Sequence, residues 1–278
     1  MPFFESFDQK KIYYFEQTGS LPYSVFFLHG WSAQSSLMTD LTKFFPDFHF
    51  YFWDARGHGQ SDPDTDASVG KMAEDFRYFL THVYHKPYPV IAVGHSMGAL
   101  TLFEYISRYH TDLLSKIAII DQSPKLMTDS EWKLGIYGNY SPEINQEMIE
   151  AFLKDLGDGV IKLSTSGLNK EYNEMFQKKP DFFYQRKRVF NHERTLSLVS
   201  IWKTLTQADY RKIVDKINIP TLLLYGMKSQ YYLQDTAFFM KEKIKDSQLH
   251  FFEKGDHSLF IQEPKRFASL ISSFITEK

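Results

Sequence analysis

Cysteine is absent from this 278-residue chain. That absence removes disulfides, thiolate zinc sites, iron–sulfur clusters and cysteine nucleophiles together. Charge of one sign is also lacking: 32 basic side chains stand against 34 acidic ones, a formal net charge of −2. Such a balance leaves no electrostatic footprint for nucleic acid or an anionic membrane. Long apolar runs are missing as well. Val25–Leu28 and Leu222–Tyr225 fall far short of the roughly 20 residues that cross a bilayer. The opening MPFFESFDQKK carries an acid at Glu5 and no apolar stretch of signal-peptide length. No Gly-x-Gly-x-x-Gly follows a strand pattern and no Gly-x-x-x-x-Gly-Lys-Ser/Thr occurs, so nucleotide binding has no support. A soluble, cytoplasmic protein is the expectation, although a chain without cysteine also suits export.

What is present is a globular composition, 43% hydrophobic and 24% charged, long enough for one large domain or two small ones. With 26 Phe and 17 Tyr, large rings should build the core. Phe3–Phe7 and Lys11–Glu16 flank Asp8-Gln9-Lys10 and read as a hairpin. Short, nearly continuous apolar runs follow at Val25–Leu28, Phe48–Trp53, Val90–Val93, Lys116–Ile120 and Thr221–Tyr225, with a weaker one at Gln248–Phe252. Strands buried on both faces have this pattern, which belongs to parallel sheets covered by helices. Helical spacing appears between them: Met72, Phe76, Phe79 and Val83; the stretch from Leu100 to Ser107; and Phe267, Leu270, Ile271 and Phe274 behind Pro264. The alternation predicts an α/β fold with a mostly parallel, helix-flanked sheet.

From about 122 to about 218 the rhythm breaks. Ser141-Pro142 reads as an N-cap with Pro in the first turn. Ile144, Met148, Ile149, Phe152 and Leu156 share one face, and Gly157 is expected as a C-cap. Further helices are expected at 173–190 and 193–207. Residues 1–121 and 219–278 should therefore form the core, and 122–218 a helical lid inserted after strand 6.

The strongest chemical signal is Val90-Ile91-Ala92-Val93-Gly94-His95-Ser96-Met97-Gly98, a buried strand entering Gly-x-Ser-x-Gly and then a helix. A nucleophile on so sharp a turn needs small residues two positions to either side. The following helix points its N–H groups and positive end at the reacting oxygen. Ser96 is the expected nucleophile; the plain alternative is a glycine turn with a serine N-cap. Val25–Leu28 ends in His29-Gly30-Trp31, and a loop there can offer a backbone N–H to an oxyanion. Trp31 N–H paired with Met97 N–H is the expected oxyanion hole. His29 reads as a packed, hydrogen-bonded residue. His82 and His85 could face a metal from one helix side, but no third ligand accompanies them.

Taken with Asp54-Ala55-Arg56-Gly57-His58-Gly59-Gln60-Ser61, and with Gly255-Asp256-His257 and Glu263-Pro264, these segments resemble the α/β-hydrolase fold superfamily over nearly the whole chain and in the same order. The resemblance implies His257 as the catalytic base and a structural role for Arg56 and His58. It also implies an acid shortly after the seventh strand, but Ser229 stands at that position. Asp121, at the end of the sixth strand, is the expected acid; Asp235 is the second candidate, and Asp121 could instead cap the first inserted helix.

The implied activity is that of a serine esterase working through an acyl-enzyme on a Ser-His-Asp triad. It needs no metal or organic cofactor. Ten aromatic residues of the insertion suggest small to medium esters or lactones with an apolar portion, in preference to charged ones. The same triad also serves C–C bond hydrolases, lyases and perhydrolases, and a weakly catalytic small-molecule-binding protein could share the scaffold.

Overall fold

Eight strands form one sheet in this computed structural model, which describes residues 2–277. They are β1 (Phe3–Glu5), β2 (Lys11–Gln17), β3 (Ser24–Leu28), β4 (His49–Trp53), β5 (Val90–His95), β6 (Leu114–Ile120), β7 (Thr221–Gly226) and β8 (Ser247–Phe252). The spatial order is β1-β2-β4-β3-β5-β6-β7-β8. β1 and β2 pair antiparallel as the expected hairpin, and β2 lies antiparallel on β4. Every pairing from β4 through β8 is parallel.

The strands carry apolar residues at consecutive positions because both faces are covered. Phe26, Leu28, Tyr51 and Trp53 join one core, while Val25, Phe27, Phe50 and Phe52 join the other. The helices are α1 (Ser36–Thr39), α2 (Val69–Tyr78), α3 (Met97–Tyr109), α4 (Pro142–Lys154), α5 (Leu156–Thr165), α6 (Lys170–Lys178), α7 (Pro180–Tyr184), α8 (His192–Gln207), α9 (Arg211–Val214), α10 (Gln234–Lys243), α11 (Leu259–Gln262) and α12 (Pro264–Thr276). α2 and α3 contribute to the first core, and α11 and α12 to the second. None of the described helices is long and apolar enough to cross a membrane.

Between β6 and β7 the chain builds helices α4 to α9 and no strand longer than an isolated bridge, Lys125 to Asp209. Ser141 caps α4 by accepting from Ile144 N–H. Two expectations fail here. Gly157 is not a C-cap: Asp155 ends α4 and restarts the chain as the N-cap of α5, accepting from Asp158 N–H at 2.9 Å. Gly157 sits inside α5 because a Cβ there would lie 2.4 Å from the carbonyl oxygen of Arg188. The single helix expected at 173–190 is two, α6 and α7. Pro180 excludes Lys179 from helical geometry, and Lys179 sits at φ −141°, ψ 60°.

Because β3 to β8 run parallel, their C-terminal ends share one edge of the sheet. The turns leaving β3, β5, β6, β7 and β8 therefore meet there, the usual place for a site in an open parallel sheet.

Candidate active site

β5 passes into α3 through Ser96, which has φ +53° and ψ −119°. A side chain rarely adopts positive φ, so packing must hold it there. Gly94 and Gly98 make room for the turn. A Cβ on Gly94 would lie 2.7 Å from Ala99 backbone, and one on Gly98 would lie 2.1 Å from the carbonyl oxygen of Leu28. Ser96 and His257 both line a cavity of about 200 Å³. Among the described residues the Ser96 hydroxyl makes no protein hydrogen bond. Such contacts are often loose in an unliganded site and tighten around substrate.

His257 lies in the loop between β8 and α11, with 13% of its side chain exposed. Its Nδ1 is 2.7 Å from Asp121 Oδ2. Asp121 follows β6, is fully buried and adopts φ +47°; its N–H donates to the Leu224 carbonyl at 2.8 Å. It caps no helix. Its carboxylate accepts two further bonds, from Ser229 Oγ at 2.6 Å and from Gly226 N–H at 3.1 Å. Asp235 lies exposed in the first turn of α10, away from these contacts.

Ser229 thus stands on the same carboxylate that reaches His257. Its oxygen accepts from Tyr231 N–H and Tyr232 N–H, both at 3.2 Å. With its lone pairs engaged, the hydroxyl proton points to Asp121 Oδ2. Gln230 Oε1 accepts from His257 N–H at 3.0 Å, and Gln230 Nε2 donates to Asp256 at 3.2 Å. His95 Nε2 donates to the His257 carbonyl at 2.8 Å. Burial holds His95 well below the ordinary histidine range, so it stays neutral, and its one proton serves that bond. The Tyr231 ring meets the His257 ring edge-on at 4.5 Å.

Sequence reasoning gave no role to Ser229, Gln230 or His95. The only signal for Ser229 was its place where an acid was expected. His95 lay unread inside the Gly-x-Ser-x-Gly motif.

Trp31 and Met97 both line the cavity, and among the described residues neither backbone N–H has a protein acceptor. Neighbouring donors are spent: Ser32 N–H goes to His58 Nε2 at 3.2 Å, Ala33 N–H to Gly30 at 3.1 Å and Ala99 N–H to Ser96 at 2.8 Å. The Trp31 indole donates to the Leu198 carbonyl at 2.8 Å, tying its loop to α8. Behind it, buried His29 donates from Nδ1 to the Gly30 carbonyl at 2.8 Å and accepts at Nε2 from Ala55 N–H at 3.0 Å. His58 Nδ1 bonds the Arg56 carbonyl at 3.0 Å, and the fully buried Arg56 guanidinium pairs with Asp8, Asp64 and Asp75. Both residues tie loops together, as expected.

The inserted segment contributes Leu126, Ile136, Val160, Leu163, Trp202 and Leu205 to the cavity. Of the ten aromatic residues noted in that segment, Trp202 alone lines it. Phe152 packs behind, 4.8 Å from the Trp31 ring and 5.4 Å from Trp202. Tyr140 is buried, while Phe182 and Tyr184 are exposed. The insertion's share of the wall is therefore largely aliphatic, while Trp31, Tyr231 and Tyr232 supply rings from the core side.

A profile described as alpha/beta hydrolase fold matches residues 23–264. An AB hydrolase superfamily protein, YisY of Bacillus subtilis, is 27% identical over 257 residues, covering 90% of each chain. A pimeloyl-[acyl-carrier protein] methyl ester esterase of Chromobacterium violaceum is 23% identical, covering 90% of this chain and 93% of that one. Among solved structures, an esterase from Exiguobacterium antarcticum superposes with a TM-score of 0.82 at 22% identity over 99% of both chains. The family match, the sheet order and the turn at Ser96 agree, and the chain belongs to the α/β-hydrolase fold family.

Proposed function

We propose that this chain hydrolyses small to medium carboxylic esters with an aliphatic acyl portion, through an acyl-enzyme on Ser96. The observation that carries the reading is one shared cavity. It holds a serine bent to positive φ, an imidazole whose Nδ1 is bound to a buried carboxylate, and two backbone N–H groups without acceptors among the described residues.

With Nδ1–H donated to Asp121, the His257 ring leaves Nε2 as a proton acceptor. Ser96 Oγ attacks the ester carbonyl carbon while Nε2 takes its proton. The carbonyl oxygen becomes the oxyanion, and the N–H groups of Trp31 and Met97 donate to it. α3 adds its positive end. The tetrahedral intermediate expels the alkoxide, which leaves as alcohol with the proton from Nε2. Water then attacks the acyl carbon, loses its proton to Nε2, and the acid departs as Ser96 regains its proton. Asp121 fixes the ring tautomer and stabilises the imidazolium without taking its proton. Four hydrogen-bonding partners, Ser229, Gly226, Gln230 and His95, keep carboxylate and ring in register.

In this reading residues 1–121 and 219–278 carry the machinery, and residues 122–218 form a lid whose Leu126, Val160 and Leu163 receive the acyl chain. The pimeloyl ester esterase among the relatives supports an ester substrate. The test is a panel of alkyl, aryl and lactone esters run on wild type and Ser96→Ala, with fluorophosphonate labelling. Labelling at Ser96 and turnover that vanishes in the variant are expected. An inert Ser96 would make this chain a binding protein instead.

A further inference from the structure

A second cavity, about 180 Å³, shares Ser32 and Ala33 with the wall of the first. Its other wall comes from the segment between α7 and α8 and the start of α8, and it holds two arginines, Arg188 and Arg194. Arg188 donates to the Ser32 carbonyl and to Gln34 Oε1; Arg194 donates to the Ser61 carbonyl at 2.7 Å. These acceptors are all neutral. Among the described residues neither guanidinium has a carboxylate within salt-bridge distance, whereas buried Arg56 has three. Burial pulls both arginines below their ordinary range, and Arg194 adds to the effect at Arg188.

Each guanidinium has five N–H donors, most of them left over here. Asn191, the N-cap of α8, also lines the cavity, so the positive end of a 16-residue helix opens beside the two cations. Acidic groups nearby do not fill the role. Buried Asp54 acts on both arginines from beyond contact, while its oxygens accept from Ser35 N–H at 2.6 Å and Gln60 N–H at 2.7 Å. Asp62 and Glu193 act on Arg194 only from beyond contact.

We propose that this cavity is an anion subsite, taking a carboxylate or phosphate group carried by the substrate at the end remote from the scissile ester. The two guanidiniums repel each other across one cavity, neither touches a carboxylate, and an anion bound between them would relieve that repulsion. The shared wall at Ser32 and Ala33 puts that anion beside the loop carrying Trp31. The substrate is then an ester with an aliphatic middle and an anionic end, in contrast to the preference for uncharged esters suggested by composition. This deepens the hydrolase reading and rests on it.

The test compares methyl hexanoate with the monomethyl ester of adipic acid, which has the same chain length and a terminal carboxylate. Wild type should favour the anionic ester in kcat/KM about tenfold or more. Arg194→Gln should remove that preference while leaving the neutral ester unchanged, and Arg188→Lys should retain part of it. Inorganic phosphate should raise KM for the anionic ester alone, and should raise the melting temperature of wild type but not of Arg194→Gln. Ser96-dependent turnover of both esters without preference overturns the subsite and leaves the hydrolase standing. Phosphate inhibiting both esters equally makes the site one for free anions and also overturns the proposal. Should neither ester nor fluorophosphonate react, the hydrolase reading fails. The substrate-subsite proposal falls with it, and the phosphate-dependent melting shift then reports only free-anion binding.

Discussion

Around His257, at the edge of the sheet, each polar atom that positions the ring has a partner; across the inserted helices two guanidiniums bond only neutral acceptors, and the rings of Phe182 and Tyr184 stand at the surface. The edge is built from strands buried on both faces, so its turns are held by cores above and below. The insertion is held largely by its helix caps and by packing against the sheet's first core. Fixed geometry suits bond-making, which loses rate with displacements of about 1 Å. A surface of helices and loops can vary its chemistry without disturbing that edge. Substitutions at the edge should therefore act on kcat, and those in the insertion on KM and substrate choice.

The sharpest break is Ser96→Ala, which should lower kcat by at least about 10⁴ while the melting temperature barely moves. Asp121→Asn should follow with about a 10³ to 10⁴ loss, because the amide favours the wrong histidine tautomer. A matching Asp235→Asn should stay near wild type, since that side chain is exposed on α10. Ser229→Ala removes one of three donors to the Asp121 carboxylate. A loss of about tenfold in kcat is expected, equal to the roughly 1.4 kcal/mol of one hydrogen bond to a charged group. Ser229→Thr should restore kcat.

In the insertion, Leu163→Ala should change KM for a medium-chain ester several-fold with kcat nearly unchanged. A large kcat effect there would erase the contrast between the two regions.

The smallest effect is on stability. Burial holds His29, His58 and His95 below their ordinary range. An unfolded chain protonates these residues near pH 6.5, before the folded one does. Their contribution is complete above that pH and is lost as pH falls toward the depressed folded values, by up to about 1.4 kcal/mol per unit for each. Asp75, pushed up to about 6 by burial, opposes this as one group against three. Melting temperature should therefore fall between pH 7 and pH 5, and less steeply in a His95→Asn variant.

What could be read along the chain follows interaction range. Gly94 to Gly98 are five consecutive residues, and their constraint is local: no side chain fits two positions from the turn. The helix break at Lys179 is visible in Pro180, whose ring disfavours helical geometry in the residue before it. Asp155, restarting the helix two residues before Gly157, was hidden because one residue ends α4 and begins α5. His95 bonds a residue 162 positions away, and Ser229 bonds one 108 away. No spacing rule reaches that far, and the serine there read as a missing acid.

By itself the sequence determined the sheet's strands, the nucleophile turn and the residues able to complete it, because period, propensity and glycine geometry act over a few residues. Tertiary structure alone decided that the serine after β7 donates to the carboxylate after β6, that an aromatic-rich insertion turns aliphatic side chains to the cavity, and that, among the described residues, two arginines touch no carboxylate. Each of these depends on which distant segments a parallel sheet brings to a common edge, and the pairing of distant segments is not written in any local stretch of chain.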